Sequence, residues 1–421
     1  MRRIGDQVDE AVAEVDAAYP MTTPAPSSSE GPFGPGDELR LETITDADRF
    51  AELGEAWDVL VRDMLRPSPF LLHGWLREWW RWYGEGRGMA VHIARRGDRL
   101  VAALPLVITS RLGMRAAGFL GHPPLVDLLL ADGEPDATAR AVVRPWLEGD
   151  HHLADVEGLS GGSRLAAALP AGALRLIERV EAPVLDLSAG WGEVYRQKTS
   201  SKTRNLHRRR RRQLAELGTL EVVAARTPDE LDEAIGAAFR LHRLRWAGRP
   251  DGSGFATPVG QAFHRAAMRA VADTASPRIV LLRLDGRCIA FHYYFGFCGC
   301  MYVHRLAFDP ALARYSPGLV NTLDAIEAAA AEGVTRVEFL GGAERYKLEL
   351  CDRLDPLYQG LGLARGPLGR LAVASRLAAI NGRLWLKQAP VLRRLYYEQL
   401  KPVRRVVADA RRRTSALRRA P

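Results

Sequence analysis

Four residues with acid, base or anchoring chemistry crowd one end of the stretch Arg336-Val-Glu-Phe-Leu-Gly-Gly-Ala-Glu-Arg-Tyr-Lys347. They are Glu338, Glu344, Tyr346 and Lys347. The pattern predicts a buried strand over Val334 to Leu340 that runs into the Gly341-Gly342 turn. Glu338 alternates with Val337 and Phe339, so it faces away from them. A carboxylate so placed is paired or looks into a cleft, and burial raises a Glu toward the neutral pKa of a general base. Glu344 is the alternative base. Tyr346 suits protonation of a departing thiolate, and Lys347 suits a carboxylate or phosphate. The same residues also fit a plainer reading, in which Glu338 pairs with Arg336 or Lys347 and Lys347 is a solvated surface cation.

Upstream, Ser316-Pro317-Gly318-Leu319 opens a predicted helix that runs to Glu332. Unpaired N–H groups and the positive end of the helix dipole suit a phosphate there, although Ser and Pro also begin ordinary helices. His304 and Arg305, on a predicted strand over 300–307, stand near enough to this turn to touch an acceptor. His292, between Phe291 and Tyr293, reads as a core histidine. Arg208 to Arg212 form a run of five arginines on a predicted helix, Tyr195 to Leu217. At about 100° per residue the run covers most of the helix circumference. Arg208, Arg209 and Arg212 are therefore candidate contacts for a polyanion such as tRNA or a phosphorylated carrier. The competing reading pairs them with the acids between Asp229 and Glu233.

These groups need a frame, and 421 residues suffice for two domains. The net charge of +9 is concentrated in the tail: Arg383 to Arg419 carries twelve Lys/Arg against two Asp/Glu, which leaves 47 basic and 48 acidic residues elsewhere. A basic, Leu-spaced helical tail suits contact with an anionic membrane surface or packing on the body. No apolar run reaches the roughly 18 residues of a spanning helix, and the N-terminus lacks an apolar signal core, so cytoplasmic residence is expected. Residues 1–37 are rich in Pro and Ser and read as a disordered tether. Cys288, Cys298, Cys300 and Cys351 lack zinc-site spacing and read as thiols in apolar sequence, so no metal is expected. Trp75, Trp79, Trp80 and Trp82 on a predicted helix, Leu71 to Tyr83, read as anchors of the first half's core.

Two stretches of the first half parallel two of the second. Arg96-Gly-Asp-Arg-Leu-Val-Ala-Ala103 matches Leu284-Asp-Gly-Arg-Cys-Ile-Ala-Phe291, and Leu153 to Gly162 matches Val334 to Gly342 with Val156 opposite Val337. A strand at Val126 to Leu130 and the same element order in both halves complete a pattern of tandem duplication. The first copy lacks the Ser-Pro-Gly turn and the Tyr-Lys pair.

The run from about Leu185 to Leu361 resembles the acetyltransferase domain of the GNAT superfamily. More narrowly, it is similar to the branch of FemAB-type transferases and cellulose-biosynthesis (CelD-like) acyltransferases. The resemblance rests on Ser201 to Arg212, Gly286-Arg-Cys-Ile-Ala290, Ser316-Pro-Gly318 and an Asp-Phe-x-x-Gly-x-x-x-Tyr-Lys ending, where Glu338 replaces the Asp and one Gly is added. It implies an α/β fold of two tandem GNAT-like domains, mixed sheets flanked by helices, with a basic helical C-terminal tail. The expected layout is a tether at 1–37, a non-catalytic half at 38–182, the acyltransferase domain at 183–365 and the tail at 366–421. It implies transfer of an acyl group, acetyl above all, from coenzyme A to an amine or hydroxyl of a small-molecule or glycan acceptor, in polysaccharide or cell-envelope biosynthesis. Ser316, Pro317, Gly318 and Leu319 would then hold the pyrophosphate. Glu338, Glu344, Tyr346 and Lys347 would serve catalysis, and His304, Arg305 and the arginine helix would bind the acceptor. Two alternatives stand beside this one: a FemAB-like transferase drawing on aminoacyl-tRNA, and a non-catalytic module of a glycan-synthesis complex.

Overall fold

The computed structural model describes residues 38–111, 113–246, 254–342 and 344–388. The tether expected over 1–37 and the basic tail beyond 388 lie outside the described residues.

Alternating apolar sequence and tight turns build one mixed sheet. Asp285 (φ 48°) and Gly286 (φ 74°) join β9 (Ser276–Leu284) to β10 (Arg287–Phe297), and Cys298 (φ 47°) and Gly299 (φ 71°) join β10 to β11 (Cys300–Phe308). Two consecutive positive φ values match the twist of antiparallel strands and hold each register. The first half repeats the arrangement with β1 (Leu39–Ile44), β2 (Gly88–Arg96), β3 (Arg99–Arg111) and β4 (Met114–Phe119). The other strands are β5 (Leu129–Leu130), β6 (Leu153–Ser160), β7 (Leu174–Asp186), β8 (Leu220–Ala225), β12 (Arg336–Glu338) and β13 (Arg353–Gly362).

The sheet order is β1-β2-β3-β4-β6-β13-β7-β12-β11-β10-β9-β8, with β5 paired to β3 off this path. Read from either edge the order is the same: four strands, a parallel partner, and then a strand from the other half. β4 pairs in parallel with β6, and β11 pairs in parallel with β12. At the centre β13 lies between β6 and β7, and β7 between β13 and β12, so each half hands one strand to the other.

Helices α1 (Ala47–Ala51), α2 (Gly54–Arg62), α3 (His73–Tyr83), α4 (Asp136–Glu148) and α5 (Arg164–Ala168) belong to the first half. Then follow α6 (Trp191–Lys198), α7 (Ser201–Ala215), α8 (Pro228–Arg245), α9 (Pro258–Ala270), α10 (Pro317–Ala331), α11 (Arg345–Leu350) and α12 (Gly366–Gln388). The single helix expected over 195–217 is divided: the Ser200 side chain accepts from the N–H of Thr203 and caps a new helix. The strand expected over 334–340 is only three residues long, because Leu340 takes φ 56°. The strand expected at Val126 to Leu130 reduces to two residues and an isolated bridge from Val126 to Leu159.

The tryptophan helix differs from expectation in what it packs on. Gly74 lets α3 approach α9 so closely that an added Cβ would lie 2.4 Å from the Ala270 carbonyl oxygen. Trp75 stacks edge-on against Phe263 and Phe295, both of the second half, while Trp82 is exposed. Helix α3 therefore bolts the halves together as well as packing on the first, where His73 meets Phe50 and Trp57, and Trp79 meets His122. Among the cysteines only Cys300 is buried, and Cys298 is exposed in its turn. Among the described residues, no helix is long and apolar enough to cross a membrane.

Candidate active site

The site begins where β11 and β12 part. Their parallel pairing covers only Cys300–Tyr302 against Arg336–Glu338, yet β11 continues to Phe308. At the parting point β11 bulges: Val303 faces Tyr294 and Arg305 faces Tyr293, with His304 the extra residue. Two cavities open along this unpaired edge, one of about 430 Å³ and one of about 450 Å³. Leu306, Phe308 and Tyr346 wall both of them.

The 430 Å³ cavity lies at the mouth of α10. Ser316 adopts the left-handed region (φ 54°, ψ 51°), Pro317 takes the first helical position, and no side chain caps the first turn. The N–H groups of Gly318 and Leu319 are thus left for a ligand. Ser316, Gly318 and Leu319 line the cavity, whereas Pro317 is buried beside it. A Cβ on Gly318 would come within 2.9 Å of the Phe308 ring, so this glycine sets how closely the turn approaches β11. From across the cavity, α7 contributes Thr203, Leu206, His207 and Arg210, and α11 contributes Arg345. The Tyr195 hydroxyl and His207 Nδ1, 2.8 Å apart, fix the imidazole.

The 450 Å³ cavity holds most of the polar residues expected at the strand end. Glu344, Tyr346 and Lys347 line it together with His304, Arg305, Arg245 and Trp246. Lys347 is not a solvated surface lysine: it is 3% exposed, lies 2.7 Å from Glu344 and donates to the Gly341 carbonyl oxygen at 3.2 Å. The Tyr346 hydroxyl is buried without a hydrogen-bond partner, and burial raises its pKa, which keeps the phenol protonated. Burial holds His304 well below the ordinary imidazole range, with Arg305 and His264 acting in the same direction. Neither of its ring nitrogens is bonded.

Glu338 lines neither cavity. It is 1% exposed and faces the first half, where Arg66 donates to both its oxygens at 3.2 Å and also bridges to Asp355 at 3.0 Å. Arg336 approaches to 3.7 Å, as the structural reading expected, but the main partner is Arg66, 272 positions away in sequence. On α7, Arg208, Arg209 and Arg212 are exposed. Arg212 pairs with Glu216 and Arg211 with Asp324, so the expected pairing with the acids at 229–233 does not form. Asp232 and Glu233 pair instead with Arg265, Arg269 and Arg283.

Several lining residues escaped the sequence reading. Arg210 was hidden inside its run, although Thr203, Leu206, His207 and Arg210 follow the i, i+3, i+4, i+7 stripe of one helix face. Arg245 and Trp246 end α8, with the Arg245 guanidinium 4.7 Å from the Phe308 ring centroid. Pro124 comes from the first half, and nothing local in the sequence indicates it.

Residues 201–348 match the family described as Acetyltransferase (GNAT) domain. No match was found among curated proteins. Among solved structures, the chain is similar to the crystal structure of FemX, with a TM-score of 0.51 and 10% identity over 76% of this chain and 96% of that one. A tandem GNAT protein from the clavulanic acid biosynthesis pathway gives 0.47 and 14% identity over 78% and 100% of the respective chains. A conserved protein of unknown function from Bacteroides thetaiotaomicron gives 0.49 and 15% over 77% and 99%. The family match takes in the bulged strand, the uncapped helix mouth and Tyr346.

Proposed function

We propose that the chain transfers an acyl group, acetyl in the simplest case, from coenzyme A to an amine or hydroxyl acceptor. The observation that carries this reading is the wall shared by the two cavities. A carrier seated at the mouth of α10 and an acceptor in the 450 Å³ cavity would meet across Leu306, Phe308 and Tyr346. The uncapped turn at Ser316–Leu319 supports a pyrophosphate, and Arg210 and Arg345 add cationic partners for the carrier's phosphates.

The chemistry then follows from position. The acceptor nitrogen or oxygen attacks the thioester carbonyl carbon, so that a C–N or C–O bond forms and the C–S bond breaks. Backbone N–H groups of β11 between Arg305 and Phe308, free of a strand partner on the β12 side, would hold the oxyanion. Glu344 is the proposed base for the acceptor's proton, and Tyr346 the acid that protonates the thiolate. Glu338, locked to Arg66, is proposed as a strut beneath the site. In this scheme 183–365 is the catalytic half and 38–182 the supporting half. Membership of the FemAB-like and CelD-like branch, with a glycan or cell-envelope acceptor, is the finer proposal.

Calorimetric titration of the full chain with acetyl-CoA and desulfo-CoA, joined to native mass spectrometry of the protein as purified, tests the carrier. Micromolar binding, or a co-purified acyl-CoA, supports the reading. Binding of neither overturns it.

A second reading, transfer from aminoacyl-tRNA, is favoured by one observation: Arg208 and Arg209 stand exposed on the helix that walls the carrier cavity. Replacement of Arg208, Arg209 and Arg212 by Gln would leave stability within about 1 kcal/mol. If this reading holds, the same replacement lowers tRNA retention and flattens its salt dependence. Unchanged retention ends it.

A further inference from the structure

From Arg305 and His304 on the wall of the 450 Å³ cavity inward lies a group of polar atoms that the transfer chemistry does not use. Arg305 is half-buried on β11 and lines the cavity. It donates to the His304 carbonyl oxygen at 2.8 Å. Among the described residues no carboxylate forms an ion pair with it, although Arg is almost always paired when taken out of water. Directly opposite on β10 stands Tyr293, whose hydroxyl is also buried and unbonded. His264 and His304 pack here with ring centroids 5.1 Å apart, and His264 Nδ1 and both nitrogens of His304 lack partners. Burial keeps both imidazoles neutral, so each offers an N–H without adding a like charge beside Arg305.

Native interiors rarely leave so many polar groups unsatisfied in one place, and a ligand is one of the ordinary explanations. The charge balance says which ligand. Among the described residues, Arg305 and Lys347 line the cavity with one acid, Glu344, which Lys347 already engages. The planar guanidinium of Arg305 matches the fork of a carboxylate.

We propose that the acceptor carries a carboxylate, and that Arg305 and His304, with Tyr293 and His264 packed behind them, receive this group while the nucleophile is presented toward Tyr346. The proposal rests on the transfer reading above and narrows its acceptor to amino-acid-like molecules. The cavity volume suits one small molecule rather than a polymer segment.

Saturation-transfer NMR on the full chain tests it with two probes: a mixture of the twenty free amino acids, and the amides of the same amino acids. At least one free acid is expected to bind, with its amide weaker by about tenfold or more. Arg305→Gln is expected to abolish that difference, and Arg305→Lys to restore part of it. Equal binding of acids and amides, no binding of either mixture, or indifference to Arg305→Gln overturns the proposal. Thermal protection by inorganic phosphate that is lost in Arg305→Gln, with none by the free acids, also overturns it in favour of a phosphorylated acceptor. Acetyl-CoA titration of the same variants separates the two levels. Intact carrier binding with failed acid selectivity defeats this inference alone, and absent carrier binding in the parent chain defeats the transfer reading beneath it.

Discussion

The two parallel strand pairs of the sheet make an instructive comparison. Both β4–β6 and β11–β12 pair briefly and then part, and parting strands leave unpaired backbone facing a gap. In the second half the gap opens into two cavities. In the first half the chain fills its own gap: the N–H of Val126 donates to the Gly158 carbonyl at 2.9 Å, and Val126 bridges to Leu159 in parallel. Pro123 and Pro124 press on Gly158, where an added Cβ would lie 3.0 Å from the Pro124 carbonyl oxygen. One framework thus gives a site in one copy and a plug in the other. What differs is a short segment after the fourth strand, which in the second half turns away into an uncapped helix mouth.

The largest expected effect separates the glutamates that follow the matched valines, Val156 and Val337. Glu338→Gln should destabilise the chain by about 3 kcal/mol, because it weakens two charge-assisted hydrogen bonds from Arg66 to a buried group and leaves Arg66 with Asp355 alone. Glu157→Gln should cost less than about 1 kcal/mol, since Glu157 is exposed and pairs with Arg376 at 3.4 Å. Urea unfolding of both variants checks this. Equal losses would erase the distinction between strut and surface, and a Glu338 variant of full stability with lost turnover would return Glu338 to the chemistry.

Tyr346→Phe should lower kcat by about a hundredfold while acyl-CoA affinity stays unchanged. Steady-state kinetics with a parallel binding titration would show it. A variant that keeps its turnover would move the proton donor to water.

The two glycines give a smaller, crossed pair of effects. Gly158 holds φ 88° against backbone atoms that cannot move aside, so Gly158→Ala should lower stability by about 1–3 kcal/mol and leave carrier affinity alone. Gly318→Ala meets a side-chain ring, so it should weaken carrier binding by about tenfold with little loss of stability. Reversal of the two outcomes would mean that plug and site have been assigned to the wrong halves.

A further contrast concerns acid, and it is small near neutral pH. Burial lowers the pKa of His292 to about 3, and that of His92 in the first half to about 4. In the unfolded chain each returns to about 6.5. Each histidine therefore contributes its full stability above pH 6.5 and loses it as pH falls toward its folded value, because unfolding then takes up a proton. His292→Leu should flatten the pH dependence of unfolding between about pH 3 and 6.5 by about 1.4 kcal/mol per pH unit. An unchanged slope would show that His292 is already protonated in the fold.

Local chemistry made much of this legible. The Asp285-Gly286 hairpin, the helix beginning at Pro317 and the crowding of Glu344, Tyr346 and Lys347 follow from turn residues, helix-start residues and strand alternation. What the sequence withheld was long-range. The partner of Glu338 is Arg66, far upstream, and no spacing reveals that pair. β7 was not anticipated, because Leu174 to Asp186 mixes charged and apolar residues as an edge or loop would. It lies at the centre of the sheet, but much of its first two-thirds remains open to solvent, so its sequence carries no buried-strand signature. Tertiary context rather than propensity decided that strand.

The exchange of β7 and β13 has a consequence for synthesis of the chain. Until residue 362 has emerged, β6 lacks its neighbour on one side and β7 is a lone strand, so the first half cannot close its own sheet. The halves are thus interlocked rather than strung together, and a cut between them leaves two raw edges instead of two domains. A ribosome stalled before residue 353 would hold such an edge exposed, and would be expected to recruit chaperones at that point.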